Sequence, residues 1–330
     1  ARDDGEIITR QYRVTGQLAD GTPLSSGTVE ATKFGSMGWI SELWGVRAVI
    51  RAGRSAGDQL REAIQLRSAA AVKRHVYTHT GWREVENRRV YLAAGGAVGQ
   101  DDVVVELDRE LTRYCLPIHP QDIPAAIQAS LRFLDVGPET VTIPLWAAVY
   151  LAPVAEIIYV PFVLWLYGMT GVLKSTLVAL ALSHYGEFTD RDLFLWTDTA
   201  NRLEKVCFLV KDAMLAIDDY APASDAHKAQ EMERNAARII RNVGDCGGRG
   251  RLDGNLELRR IYRPRGLVVA TGEQVPAGQS VLARMFVVEL RPGDVKLEQL
   301  TIAQAEAQRY PHALAGYIPV SYTHLRAHET

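Results

Sequence analysis

Residues 168–176 read Gly168-Met169-Thr170-Gly171-Val172-Leu173-Lys174-Ser175-Thr176. The apolar run Phe162-Val163-Leu164-Trp165-Leu166-Tyr167 precedes them, and the helical pattern Leu177-Val178-Ala179-Leu180-Ala181-Leu182 follows. A buried strand that delivers the chain to a glycine-containing turn at the head of a helix is the setting of a phosphate-binding loop. Backbone N–H groups and the helix N-terminus face a triphosphate, the lysine adds charge, and a hydroxyl reaches Mg²⁺. The stretch predicts ATP and Mg²⁺ as ligands, with Gly168, Thr170, Gly171, Val172, Leu173, Lys174, Ser175 and Thr176 around the nucleotide. Leu173 stands where the pattern G-x-x-x-x-G-K-[ST] has its second glycine. A Cβ there crowds a backbone that passes close to the phosphates, so the leucine weakens the match.

The run Ala213-Met214-Leu215-Ala216-Ile217 ends in Asp218-Asp219, the shape of a Walker B strand. Asp218 is expected to hold Mg²⁺ together with Ser175, and Asp219 to polarise the attacking water. Many motor ATPases have glutamate at the second position, and aspartate reaches one methylene less far. A third strand, Gly266 to Thr271, leads into Gly272-Glu273, and Thr271 is the candidate sensor of the γ-phosphate. Ser280-Val281-Leu282-Ala283-Arg284 then precedes an apolar strand, Met285 to Leu290. Arg284 reads either as an arginine finger offered to a neighbouring subunit or as a plain surface arginine.

The chain has 330 residues, 47% of them hydrophobic, which suffices for sizeable cores and predicts two domains. A net charge of −2 does not announce a nucleic-acid partner, so any basic surface is local. Cys115, Cys207 and Cys246 have no C-x-x-C spacing and read as reduced thiols of a cytoplasmic protein. Val141 to Tyr167 is the most hydrophobic stretch. It contains Pro144, Pro153, Glu156 and Pro161 and divides into a helix near 141–157 and the strand entering the loop, which argues for burial and against a membrane span. The opening Ala1-Arg-Asp-Asp-Gly-Glu is charged and unlike a secretory signal, and the missing initiating methionine suggests a fragment.

The first 115 residues predict a small α+β module: a strand and turn over Ile7 to Gly21, a helix over Gly57 to Ser68, and strands at Val72–Thr78, Arg89–Ala93 and Val103–Leu107. His75 and His79 read as structural or surface histidines, because on a strand that spacing separates them. Trp39, Trp44 and Trp82 read as core before base-stacking surface.

Residues 234–265 hold nine arginines (234, 238, 241, 249, 251, 259, 260, 263 and 265) against the three acids Asp245, Asp253 and Glu257. An amphipathic helix near 225–242 gives way to a Gly-rich segment, and Asp253-Gly254 signals a tight hairpin. Arg249, Arg251, Arg259 and Arg260 are the candidate contacts to the phosphates of single-stranded DNA. A solvated charged hairpin, or subunit contacts, is the competing reading.

These residues carry a family resemblance. Thr80-Gly81-Trp82-Arg83, Gly95-Gly96-Ala97-Val98-Gly99, Arg113-Tyr114-Cys115-Leu116-Pro117, Ala152-Pro153, the 168–176 loop, His184-Tyr185-Gly186, Thr199-Ala200-Asn201-Arg202-Leu203-Glu204 and Ile217-Asp218-Asp219 together resemble bacterial domain-of-unknown-function 927. The resemblance reaches to about residue 318. It implies helicases or inactivated derivatives from phage, plasmid or integrated-element replication proteins, sometimes beside a primase, with nucleotide-binding roles for Lys174, Ser175 and Asp218. The last ten residues, Ser321 to Thr330, depart from it and resemble translated adapter sequence, so His324 and His328 receive no role.

The expected architecture is α/β: an α+β module at 1–117, a helical connector at 118–158, a P-loop NTPase domain with a mainly parallel sheet at 159–320, and a non-native tail at 321–330. Glu204, on a helix over Thr199 to Val210 before the Walker B strand, fits the additional-strand class of P-loop ATPases. The expected function is ATP-driven translocation on single-stranded DNA by a ring of identical subunits, with a primase as a further candidate partner. A non-hydrolysing, nucleotide-gated DNA-binding or scaffold protein is the alternative.

Overall fold

The computed structural model describes residues 1–221, 225–245, 247, 251–252, 258–259 and 261–327. It divides into two compact units, Ala1–Thr78 and His79–Thr330. In the first, Gln11–Gln17 and Pro23–Glu30 form an antiparallel hairpin whose turn is closed by Leu18 N–H on the Thr22 carbonyl at 2.9 Å. Val14 and Val29 of that hairpin pack with Phe34, Met37, Trp39 and Ile40 into a separate small core. The helix expected near 57–68 spans Ala56–Arg67. The strand expected over Val72–Thr78 shrinks to Val76–Tyr77, because its parallel partner Arg2–Asp3 offers only two residues. Trp39 is buried against Phe34, and Trp44 donates its indole N–H to the Ser25 carbonyl, so both serve this core.

The second unit begins earlier than the sequence suggests. Residues 79–117, grouped above with the N-terminal module, pack instead with the rest of the chain. Gly81–Val85, Arg88–Ala93 and Gly96–Val98 form an antiparallel meander. Its first strand docks by hydrogen bonds from Thr80 N–H to the Leu209 carbonyl (3.1 Å) and from Trp82 N–H to Asp212 Oδ2 (2.9 Å). Gly81 has φ +87°, and a Cβ there would overlap the Lys211 carbonyl oxygen. Trp82, Tyr91, Leu111 and Tyr114 consequently belong to the same core as the central sheet. The connector is helical, as α1 (Ile123–Arg132) and α2 (Glu139–Leu151), and both helices contribute buried residues to that core.

The central sheet has five strands, all parallel: β1 (Val163–Tyr167), β2 (Phe194–Leu195), β3 (Met214–Tyr220), β4 (Leu267–Gly272) and β5 (Met285–Glu289), in the order β2-β3-β4-β1-β5. Parallel strands covered on both faces read as unbroken apolar runs, which is why 163–166, 214–217 and 267–270 were legible. The helices α3 (Lys174–Leu182), α4 (Ala200–Leu209) and α5 (Ala226–Gly244) lie between successive strands in the chain. Glu204 on α4 accepts from Asn242 Nδ2 of α5 at 3.2 Å and pairs with Arg238, so it ties two helices together. The last helix, Tyr310–Ala327, runs on into the segment expected to be a tail. Among the described residues, no helix is long and apolar enough to cross a membrane.

Candidate nucleotide site

The loop that follows β1 keeps the conformation its glycines imply, for different reasons at each. Gly168 is required by packing, since a Cβ would overlap the Leu290 carbonyl oxygen just beyond β5. Gly171 takes φ +84° with open space where a Cβ would stand. Leu173 takes φ +70°, ψ 28°, the left-handed conformation that makes glycine usual at its position. Alternating backbone handedness turns successive N–H groups inward, the concavity that suits an anion, and α3 begins immediately afterwards. Lys174, the first residue of α3, is buried and donates to the loop carbonyls of Gly168 (2.7 Å) and Met169 (2.8 Å). Burial draws its ammonium below the ordinary value, while the charges of Glu273, Asp218 and Asp219 act to raise it.

Beneath the loop, Ser175 Oγ donates to Asp218 Oδ1 at 2.8 Å, and the Thr271 hydroxyl donates to the same oxygen. Three elements therefore converge on one carboxylate: α3, β3 and β4. The donor set fits Mg²⁺, which prefers hard oxygen ligands at about 2.1 Å in octahedral geometry, so that adjacent ligands stand about 3 Å apart. Ser175 and Asp218 would hold that ion, which would supply charge neutralisation to a bound polyphosphate.

The two acids of β3 diverge because the strand is bulged. Ile217 pairs with Ala270 and Tyr220 with Gly272, leaving Asp218 and Asp219 opposite the single residue Thr271. Asp219 sits at φ +63° and donates its backbone N–H to Thr271 Oγ1 at 3.2 Å. Bulges re-aim side chains next to sites, and here Asp218 is buried while Asp219 is exposed. The sequence reading ended the strand at these two acids; it runs one residue further, to Tyr220.

Arg284, the expected finger, is engaged on its own chain. Its Nε and Nη2 donate to Asp245 Oδ1 (2.8 and 2.6 Å), and Nη1 donates to the Ser280 carbonyl (2.6 Å) and Oγ (3.0 Å). Its stem covers Gly244, where a Cβ would overlap it. All three guanidinium nitrogens have partners within the chain.

Arg251–Leu252 and Leu258–Arg259 pair antiparallel, which forms the expected hairpin. Its register sets Leu252 opposite Leu258, whereas a two-residue turn at Asp253-Gly254 would set Leu252 opposite Asn255. Asp253, Gly254, Arg249, Arg260 and Cys246 lie outside the described residues. Two other arginines of the basic segment serve packing: Arg238 pairs with Glu204, and Arg265 lies 3.5 Å over the Phe208 ring. Sequence reasoning also passed over Glu273, whose carboxylate accepts from the Thr170 hydroxyl of the loop. Its signal was an acid just past the end of an apolar strand.

No family profile and no curated protein sequence matches the chain. Among solved structures, the fold is similar to that of SCCmec type IV Cch, described as an active helicase, with a TM-score of 0.57 at 14% identity over 99% of this chain and 60% of that one. The chain thus spans about three fifths of that protein's length. Weaker likenesses are to the JCV helicase (TM-score 0.33, 15% identity, 59% of this chain and 53% of that one) and to the NrS-1 C-terminal region (0.38, 14%, 80% and 60%). The fold itself is α/β and P-loop NTPase-like, with an additional strand between the loop strand and the strand bearing the acids.

Proposed function

We propose that this chain binds and hydrolyses ATP with Mg²⁺ and uses it to act as a helicase-like translocase on single-stranded DNA, as a ring of identical subunits. The observation that carries the reading is the convergence of Ser175 and Thr271 on Asp218 directly beneath the 168–176 loop. Such an arrangement ties the ion site, the sensor and the phosphate loop into one unit. Hydrolysis needs little covalent chemistry from the protein, so positioning and charge neutralisation suffice. The DNA contact is supported by the hairpin register, which sets Arg251 opposite Arg259. Residues 234–265 as a whole carry nine arginines against three acids, a local excess of positive charge that suits a phosphate backbone. The likeness of the fold to a helicase, together with the resemblance to domain-of-unknown-function 927, supports a role in replication of phage or other mobile elements, with a primase as a candidate partner.

The left-handed Leu173 and the re-aimed Asp219 favour a second reading, a nucleotide-gated DNA-binding protein that does not turn over. ATPase assays with and without single-stranded DNA separate the two. Stimulated turnover supports the motor, tight ATP binding without turnover supports the gated binder, and no nucleotide binding at all overturns both.

A further inference from the structure

We infer that Glu273 is the carboxylate that orients the attacking water in this site, the role that the sequence alone assigns to Asp219. The inference rests on the nucleotide reading above and adds a residue to it. Glu273 leaves the sheet where its two halves meet: the preceding Gly272 pairs with Tyr167, the last residue before the loop, and with Tyr220, the residue after the two aspartates. The turn is held on both sides. Gly168 N–H donates to the Gly272 carbonyl at 3.2 Å, and Glu273 N–H donates to the Tyr220 carbonyl at 3.0 Å. A Cβ on Gly272 would press on Tyr220 at 2.8 Å, so the backbone leading to Glu273 has little freedom.

The side chain is equally directed. It accepts from the hydroxyl of Thr170, inside the loop and four residues before the lysine, and it is the carboxylate whose charge acts most strongly on Lys174. A lysine in this position would reach the β- and γ-phosphates of a bound triphosphate, and Glu273 would then stand on the γ side. Glu273 is exposed, as a group that handles water must be. Asp219 has the shorter side chain, and the bulge fixes its backbone at φ +63° with its N–H committed to Thr271.

In the step itself, a water oxygen forms a bond to the γ-phosphorus while the bond from that phosphorus to the β–γ bridging oxygen breaks. The bridging electron pair stays on ADP. Glu273 accepts a hydrogen bond from the water, takes one of its protons as the P–O bond forms, and returns it to solvent.

The test measures two quantities on the full chain: the affinity for a fluorescent N-methylanthraniloyl ATP and the kcat for ATP. Wild-type protein that neither binds nor hydrolyses nucleotide overturns the parent reading, and the inference falls with it. With an active wild type, Glu273→Gln should lower kcat at least about a hundredfold, in the range of general-base losses, with nucleotide affinity within about threefold. Glu273→Asp should recover part of that rate, and the loss in Glu273→Gln should exceed that in Asp219→Asn at least tenfold. Two results overturn the assignment. If Asp219→Asn abolishes turnover while Glu273→Gln stays within threefold of wild type, the role belongs to Asp219. If Glu273→Gln loses affinity in proportion to rate, the residue only props the loop.

Discussion

Leu173 concentrates the opposing forces at the residue scale. A left-handed non-glycine residue costs about 1–2 kcal/mol, while a half-buried leucine contributes roughly 1 kcal/mol of apolar contact that glycine lacks. The two nearly cancel. Leu173→Gly should therefore leave the thermal midpoint within a few degrees of wild type and leave ATP affinity equal or tighter, which calorimetry and nucleotide titration would check together. A marked loss of affinity would mean that the leucine shapes the cradle. Lys174→Ala is expected to weaken ATP binding at least about tenfold, roughly 1.4 kcal/mol, in a folded protein. Asp218→Asn should weaken binding in the presence of Mg²⁺ while leaving Mg²⁺-free binding little changed, because it removes charge from the ion's side of the site. Loop, lysine, serine and Asp218 were all legible because each is specified by its immediate neighbours in the chain.

At the scale of elements, what was hidden in the sequence is what depends on pairing between distant segments. The bulge at Asp218-Asp219 exists only because β4 offers one residue, Thr271, against two. No local pattern in 213–219 encodes that count. Glu273 meets Thr170 across 103 positions for the same reason. The boundary at Thr78 was missed because the 81–98 meander has the turn chemistry of a separate module, while its docking partners Leu209 and Asp212 lie far downstream. The Arg284–Asp245 pair, 39 positions apart, was likewise invisible to local pattern. The hairpin offers its own test. Replacing Arg251 and Arg259 by alanine should weaken single-stranded DNA binding for all sequences alike and make the slope of log K against log salt shallower by about 1.4, at roughly 0.7 per lost phosphate contact. An unchanged slope with reduced turnover only in the oligomer would assign these arginines to subunit contacts.

For the whole molecule, two buried histidines set an acid limit. His184 is enclosed by Ser130, Tyr150 and Tyr310, and His79 lies near Arg265, Lys211 and Arg83; burial draws both down to about 4. The unfolded chain protonates them near 6.5, so as pH falls from 6.5 to 4 the unfolded state takes up protons that the folded state refuses. Stability should drop across that window by up to about 3 kcal/mol per histidine, at about 1.4 kcal/mol per pH unit, and show no such loss above pH 7. Urea midpoints at pH 7, 5.5 and 4.5 would measure it, and His184→Gln should flatten the acid limb by about half of the histidine effect.

The strand order adds a mechanical consequence. With β4 interposed, the axes of β1 and β3 are about 10 Å apart, yet Ser175 and Asp218 close to 2.8 Å beneath the loop, with Thr271 of the middle strand bonded to the same oxygen. The trio is arranged as a caliper whose jaws are the head of α3 and the end of β3, with β4 as the spacer. Because all three elements meet on one oxygen, the Ser175–Asp218 spacing depends on how β4 sits between β1 and β3.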